Sequence, residues 1–165
     1  MVKKSTVLWL SCIMLLGAVF RLSIYNMEPL FYDAAYYASL GRSIAEGDYL
    51  LQVNQMSDKP PLFFYIQAVL FYLFGIFESV ALLPSFVGGM LGIGILYFLG
   101  KDLYNSVAGI LAALLYAMSP GSVLLSAVGF IDSLFMAFVL FSFWTLLHRR
   151  YYWTGFLIGI SFQAP

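Results

Sequence analysis

Asp33, Asp58, Lys59 and Asp132 are the residues of this chain whose types and surroundings could do chemistry. Charge is scarce around them. Only 10% of the 165 residues are charged and 62% are hydrophobic, yet seven of the sixteen charged residues fall between Glu28 and Lys59. A membrane chain that gathers its charge into one loop has the makings of a reaction or binding site there. Asp33 stands in Tyr32-Asp33-Ala34-Ala35-Tyr36-Tyr37. There a carboxylate can cap a helix, or act as a general base that deprotonates an acceptor hydroxyl or orients an acceptor phosphate through a metal. Lys59 opens Lys59-Pro60-Pro61-Leu62. It is either a snorkelling lysine at a helix start or a compact point charge that neutralises a lipid phosphate, held in place by the rigid proline pair. Asp58 suits a metal ligand or a partner for Lys59. Asp132, in Gly129-Phe130-Ile131-Asp132-Ser133, reads as the N-cap of a helix over Ser133–Leu147 or as a second acidic group of the same site.

The elements that must position these residues are membrane helices. Mean hydropathy is +0.92, and charge-poor apolar segments run over Ser5–Phe20, Val80–Gly100, Val107–Val128 and Ser133–Leu147. Most approach the ~20 residues that a helix needs to cross ~30 Å of hydrocarbon. The expected spans are about 5–24, 79–100, 106–128 and 133–147, with an incomplete one over 151–165 and an outer loop over about 25–78. The chain is expected to be a fragment, because the last apolar stretch stops short of a span. Net charge is zero, so nothing in it argues for nucleic acid. A single cysteine, Cys12, lies inside the first apolar run and removes disulfides and thiolate metal sites as organising features. The start reads as an uncleaved first transmembrane helix: Lys3 and Lys4 precede the apolar run, and Arg21 follows it without a small-x-small cleavage site.

Charge sets the topology. If Leu62–Phe77 crosses the bilayer, Lys101, Arg149 and Arg150 fall on the opposite side from Lys3 and Lys4. If it lies along the surface or dips in part-way, all five are cytoplasmic, as the positive-inside bias favours. Asp33, Asp58, Lys59 and Asp132 then share the outer face. Within the outer loop, Ala34–Glu46 is expected to form an amphipathic interfacial helix. Ala34, Tyr37, Ala38, Gly41, Ile44 and Ala45 form its apolar face, with Asp33 as N-cap and Gly47 as terminator. The proline pair is expected to open a second, aromatic-rich helix. Pro120 is expected to kink the third span.

Four motifs in order, Tyr-Asp-x-x-Tyr-Tyr, Lys-Pro-Pro-Leu-x-x-Tyr, Leu-Pro-Ser-x-x-x-Gly and Ser-Pro followed by an isolated Asp, resemble the N-terminal part of a GT-C glycosyltransferase. More narrowly they are similar to the bacterial dolichyl-phosphate-mannose protein mannosyltransferase-like family (glycosyltransferase family 39), which includes the aminoarabinose transferases of lipid A. The resemblance covers the whole chain but about the first third of a typical member. It implies an all-α polytopic transmembrane bundle and, at Asp33, the catalytic carboxylate of the first outer loop. It also implies that Lys59 lies near a polyprenyl phosphate, that Asp132 is the second acidic residue, and that Asp58 sits where some members help bind a metal. An arginine often precedes the Leu-Pro-Ser element in that family; this chain has Ala81-Leu82-Leu83-Pro84. The implied protein sits in the inner (plasma) membrane with its N-terminus in the cytoplasm. It takes a polyprenyl-phosphate-linked sugar and a lipid or protein acceptor, requires no cofactor, and leaves room for a divalent metal. A transporter or flippase fragment would share the spans, but its polar groups belong near mid-membrane, where this chain is almost free of charge. A non-catalytic membrane protein is the remaining alternative.

Overall fold

Two helices carry the architecture because, among the described residues, they alone are long and apolar enough to cross a bilayer unaided: α1 (Lys4–Ile24) and α4 (Glu78–Leu103). The computed structural model describes residues 4–25, 30–51 and 61–161, and no strand occurs among them. The other helices are α2 (Tyr32–Ala45), α3 (Leu62–Phe74), α5 (Ser106–Met118), α6 (Pro120–Ala127), α7 (Asp132–Leu147) and α8 (Tyr151–Ser161). The chain is therefore a helical membrane protein. Its unpartnered apolar side chains fit that setting: Val7, Leu8 and Leu15 on α1 and Leu111 and Leu115 on α5 are exposed.

The segment read from sequence as a span over 106–128 is two helices, α5 and α6, bent by 58°. Pro120 has no N–H to offer Tyr116, and its ring disfavours helical geometry in the residue before it. Ser119 accordingly leaves the helix at φ −63°, ψ 121°, and Pro120 begins α6 at a position where its missing donor costs nothing. The helix in Leu62–Phe77 ends at Phe74, where Gly75 takes φ 91°. Its 13 residues reach about 20 Å, short of the ~30 Å hydrocarbon core. α3 packs against α2 and the first turns of α4 instead of running beside the length of the bundle.

α4 is the central post. Gly88 lies so close to α7 that a Cβ there would come within 2.6 Å of the Leu134 Cα. Near the other end of α4, Gly100 meets the Gly109 backbone of α5 at a similar 2.8 Å. Small residues that let backbones approach are the usual means of helix association in lipid, where apolar side chains gain nothing from leaving water. Ile13, Ile93, Tyr97, Ala113 and Ala117 fill the space between α1, α4 and α5.

These contacts sort the chain by end. α7 runs parallel to α4: Ser85 and Gly88 meet Ser133 and Leu134 at one end, and Asp102 meets Trp144 and His148 at the other. Lys101 and the Arg149-Arg150 turn therefore share an end, and α1 begins toward it and finishes with Tyr25 bonded to Ser79 at the opposite one. α2, the start of α3 and the Gly129–Asp132 turn gather at that opposite end.

Candidate active site

The acidic end is built on α2. Its buried face is Ala34, Tyr37, Leu40, Gly41 and Ile44, which adds Leu40 to the stripe read from spacing. Ser39, Arg42 and Glu46 face outward, with Arg42 Nε and Glu46 Oε1 paired at 2.7 Å. Tyr37 packs against Phe63 and Phe64 of α3, and this aromatic group closes over Ile131 and over Leu134 of α7. The helix starts earlier than its carboxylate suggested. Phe31 is the N-cap, Tyr32 the first helical residue, and Asp33 stands in the first turn without a side-chain cap bond. The reason is tertiary: the Phe31 ring packs on Phe130, 6.3 Å between centroids, and the Phe31 carbonyl already accepts from Ala35 N–H at 2.7 Å. The same correction applies to Asp132. α7 begins at Asp132 itself, with Ile131 as N-cap, because Ile131 is held in the aromatic cluster.

Both carboxylates are thus freed from capping, and both are exposed. The structure brings their segments together: Phe31 meets Phe130, and Gly129 lies against Ala34. Asp58 and Lys59 lie outside the described residues; the structure picks up beyond them at Pro61, which is the N-cap of α3 and not its first helical residue. Among the described residues no cluster of three or more His, Cys, Asp or Glu could hold a metal ion.

Polar side chains buried beneath this surface fix it in place. Ser85, of the Leu-Pro-Ser element, donates to the Phe130 carbonyl at 2.7 Å, and Ser133 donates back to the Ser85 carbonyl at 2.8 Å. This reciprocal latch holds the turn that presents Asp132. Gln67 of α3 donates to the Ala81 carbonyl at 2.9 Å, two residues before the Leu-Pro-Ser element. Tyr25 donates to the Ser79 carbonyl, and burial pushes its hydroxyl up to about 12.

Arg21 was read from sequence only as the residue closing the first apolar run, yet it is fully buried inside α1. Its Nη2 donates to Ser122 Oγ at 2.7 Å, and its Nη1 donates to the Gly17 carbonyl at 3.1 Å and to the Ala117 carbonyl at a long 3.5 Å. The guanidinium carbon lies 6.0 Å from the Tyr116 ring centroid, and Nε has no partner among the described residues. Arg21 therefore braces both sides of the α5–α6 bend. The span expected over about 5–24 contains it; what sequence did not show is its partners.

Comparison with known proteins bears on this arrangement. The family model described as dolichyl-phosphate-mannose-protein mannosyltransferase matches residues 58–164. Two Bacillus subtilis (strain 168) proteins are similar. The one named "Putative mannosyltransferase YkcB" is 25% identical over 114 residues, 65% of this chain and 16% of that protein. The one named "Putative mannosyltransferase YycA" is 30% identical over 113 residues, 64% of this chain and 16% of that protein. The chain thus spans about a sixth of the length of these relatives. No solved structure matches it significantly. The matched region takes in α3 to α8, hence the Ser85–Ser133 latch and the turn carrying Asp132. By that match the chain belongs to the dolichyl-phosphate-mannose-protein mannosyltransferase family.

Proposed function

We propose that the protein is a glycosyltransferase that moves a sugar from a polyprenyl-phosphate donor to an acceptor at the acidic end of the bundle, on the outer face of the inner membrane. The observation that carries this reading is the convergence of the Asp33 and Asp132 segments through Phe31 and Phe130, at the end opposite Lys101, Arg149 and Arg150. Asp33 is the general base. It takes the proton of the acceptor hydroxyl while the acceptor oxygen attacks the anomeric carbon. The bond from that carbon to the donor phosphate breaks with its electron pair leaving on the phosphate oxygen, so configuration inverts and polyprenyl phosphate is released. Lys59 neutralises the phosphate, in the ground state and as it leaves, and its ammonium suits a lipid headgroup whose tail stays in the bilayer. Asp132 borders the same space and orients the acceptor or the sugar. Where the acceptor is itself a phosphate no proton needs removing, and Asp33 with Asp58 would hold a divalent ion that would supply positive charge to it. The family match supports a sugar donor on a lipid carrier; the sugar and the acceptor are what assays must define.

The test is transfer in membranes carrying the protein, followed as loss of labelled sugar from polyprenyl-phosphate-mannose. Asp33→Asn should lower the rate by about 10²–10⁴, the usual contribution of a positioned general base. Asp33 makes no capping bond, so insertion and stability should hold. Near-normal transfer by that variant would remove Asp33 from the chemistry.

A further inference from the structure

Along the side of the bundle lies a second concave surface that reaches the basic end. Between α4 and α7 runs a trough of about 730 Å³, with Met14 of α1 on one flank and Leu157 of α8 on the other. Its floor is apolar throughout, from Phe86 and Val87 through Gly94 to Phe98 and Trp144. From Phe86 to Phe98 the helix rises about 18 Å, a little more than half of the ~30 Å hydrocarbon thickness. That length suits an acyl chain of a single leaflet. The trough has one charged end. His148 sits 3.5 Å from Asp102, and the same carboxylate accepts from Trp144 Nε1 at 2.9 Å, so these three groups close the floor. Lys101 continues the face of α4 that carries Met90 and Gly94, and Arg149 and Arg150 are exposed in the adjoining turn. Among the described residues none of these three cations is in an ion pair. The described carboxylate beside them, Asp102, is already engaged by Trp144 and His148.

We propose that this trough is a binding site for an anionic phospholipid, one acyl chain lying along α4 and α7 and the headgroup phosphate held by Lys101, Arg149 and Arg150. The match is one of charge and of length together: basic pockets at the ends of membrane helices take anionic headgroups, and an acyl chain fills a dry trough that water would not. The site does not depend on the glycosyltransferase reading, because its readout is lipid retention and not transfer.

Native mass spectrometry of the purified chain, with phosphatidylglycerol and phosphatidylcholine of identical acyl chains, tests it. Phosphatidylglycerol should be retained with a preference on the order of tenfold. The triple variant K101Q/R149Q/R150Q should lose the preference. Gly94→Leu should lose retention of phosphatidylglycerol, since a Cβ at Gly94 meets nothing within 4 Å and the added side chain fills the trough. Leu91→Trp, at an exposed position on the same floor, serves if the first filling variant does not fold. Equal retention of the two lipids overturns the proposal. So does a preference that survives the triple variant, or retention that survives trough filling. Displacement of phosphatidylglycerol by equimolar polyprenyl phosphate would give the trough to an isoprenoid chain and also overturn it.

Discussion

Arg21 holds the residue-scale design in its plainest form. A guanidinium is expensive in hydrocarbon, and here it is kept by hydrogen bonds to two other parts of the chain, Ala117 and Ser122, on opposite sides of the α5–α6 bend. Arg21→Met should destabilise the protein by about 1–3 kcal/mol, the usual cost of leaving buried polar groups without partners, as read by unfolding in denaturing detergent. Arg21→Lys should fall between, because a lysine lacks the fork that reaches both partners. An Arg21→Met protein as stable as the parent would show that the brace is idle. At this scale the sequence was informative about which residues are rare, and Asp33 and Asp132 stand out for that reason. It was silent on what each one touches. Both aspartates were expected as caps because Asp is a good cap in isolation, and both lost that place to an apolar neighbour, Phe31 or Ile131, whose packing decided where the helix begins. Arg21 was overlooked because its partners are some hundred residues away.

At the scale of elements, α4 is the helix whose substitutions should sort most cleanly. Gly88→Ala would drive a methyl group into the α7 backbone, and overpacking of that kind costs about 1–3 kcal/mol. Gly94→Ala meets nothing within 4 Å and removes a flexible glycine from a helix interior, so it should stabilise by roughly 0.5–1 kcal/mol. Opposite signs for the pair, measured side by side, would confirm that α4 and α7 touch through backbone at Gly88; equal effects would refute it. Elements were readable where a local rule governs them. Pro120 announced its bend, and Gly47 follows α2 with φ 111° as a terminator should. The Asp58-Lys59 segment lies outside the described residues, and α3 begins beyond it with Pro61 as its N-cap.

Across the whole molecule, contacts far apart in sequence separate the acidic end from the basic end. The expected orientation follows from that polarity. In a Cys12→Ala background, Asp33→Cys and Asp132→Cys should react with an impermeant thiol reagent added to intact cells, and Arg149→Cys should not. Replacing Cys12 matters because it is a free, exposed thiol. Labelling of Asp132→Cys together with Arg149→Cys would contradict the arrangement of α7, whose two ends they mark. The charge bias alone pointed to this arrangement, but only the Asp102–His148 and Phe31–Phe130 contacts tie the two ends to particular helices.

The brace at Arg21 also has a history in time. Ser122 follows Arg21 by 101 residues, so at ~5–20 residues per second a nascent α1 waits roughly 5 to 20 s before its partner exists. During that interval the guanidinium has only the Gly17 carbonyl of its own helix as a protein partner, and the C-terminal turn of α1 must keep the rest of it near the aqueous boundary or inside the insertion machinery. First-helix insertion and final burial of Arg21 are then two events, the second triggered by synthesis of α6. A cysteine at Ser23 should accordingly react faster with an aqueous thiol reagent in chains stalled before Ser122 than in the finished protein. Equal rates would mean that α1 reaches its final depth alone, and that the bend forms around an arginine already in place.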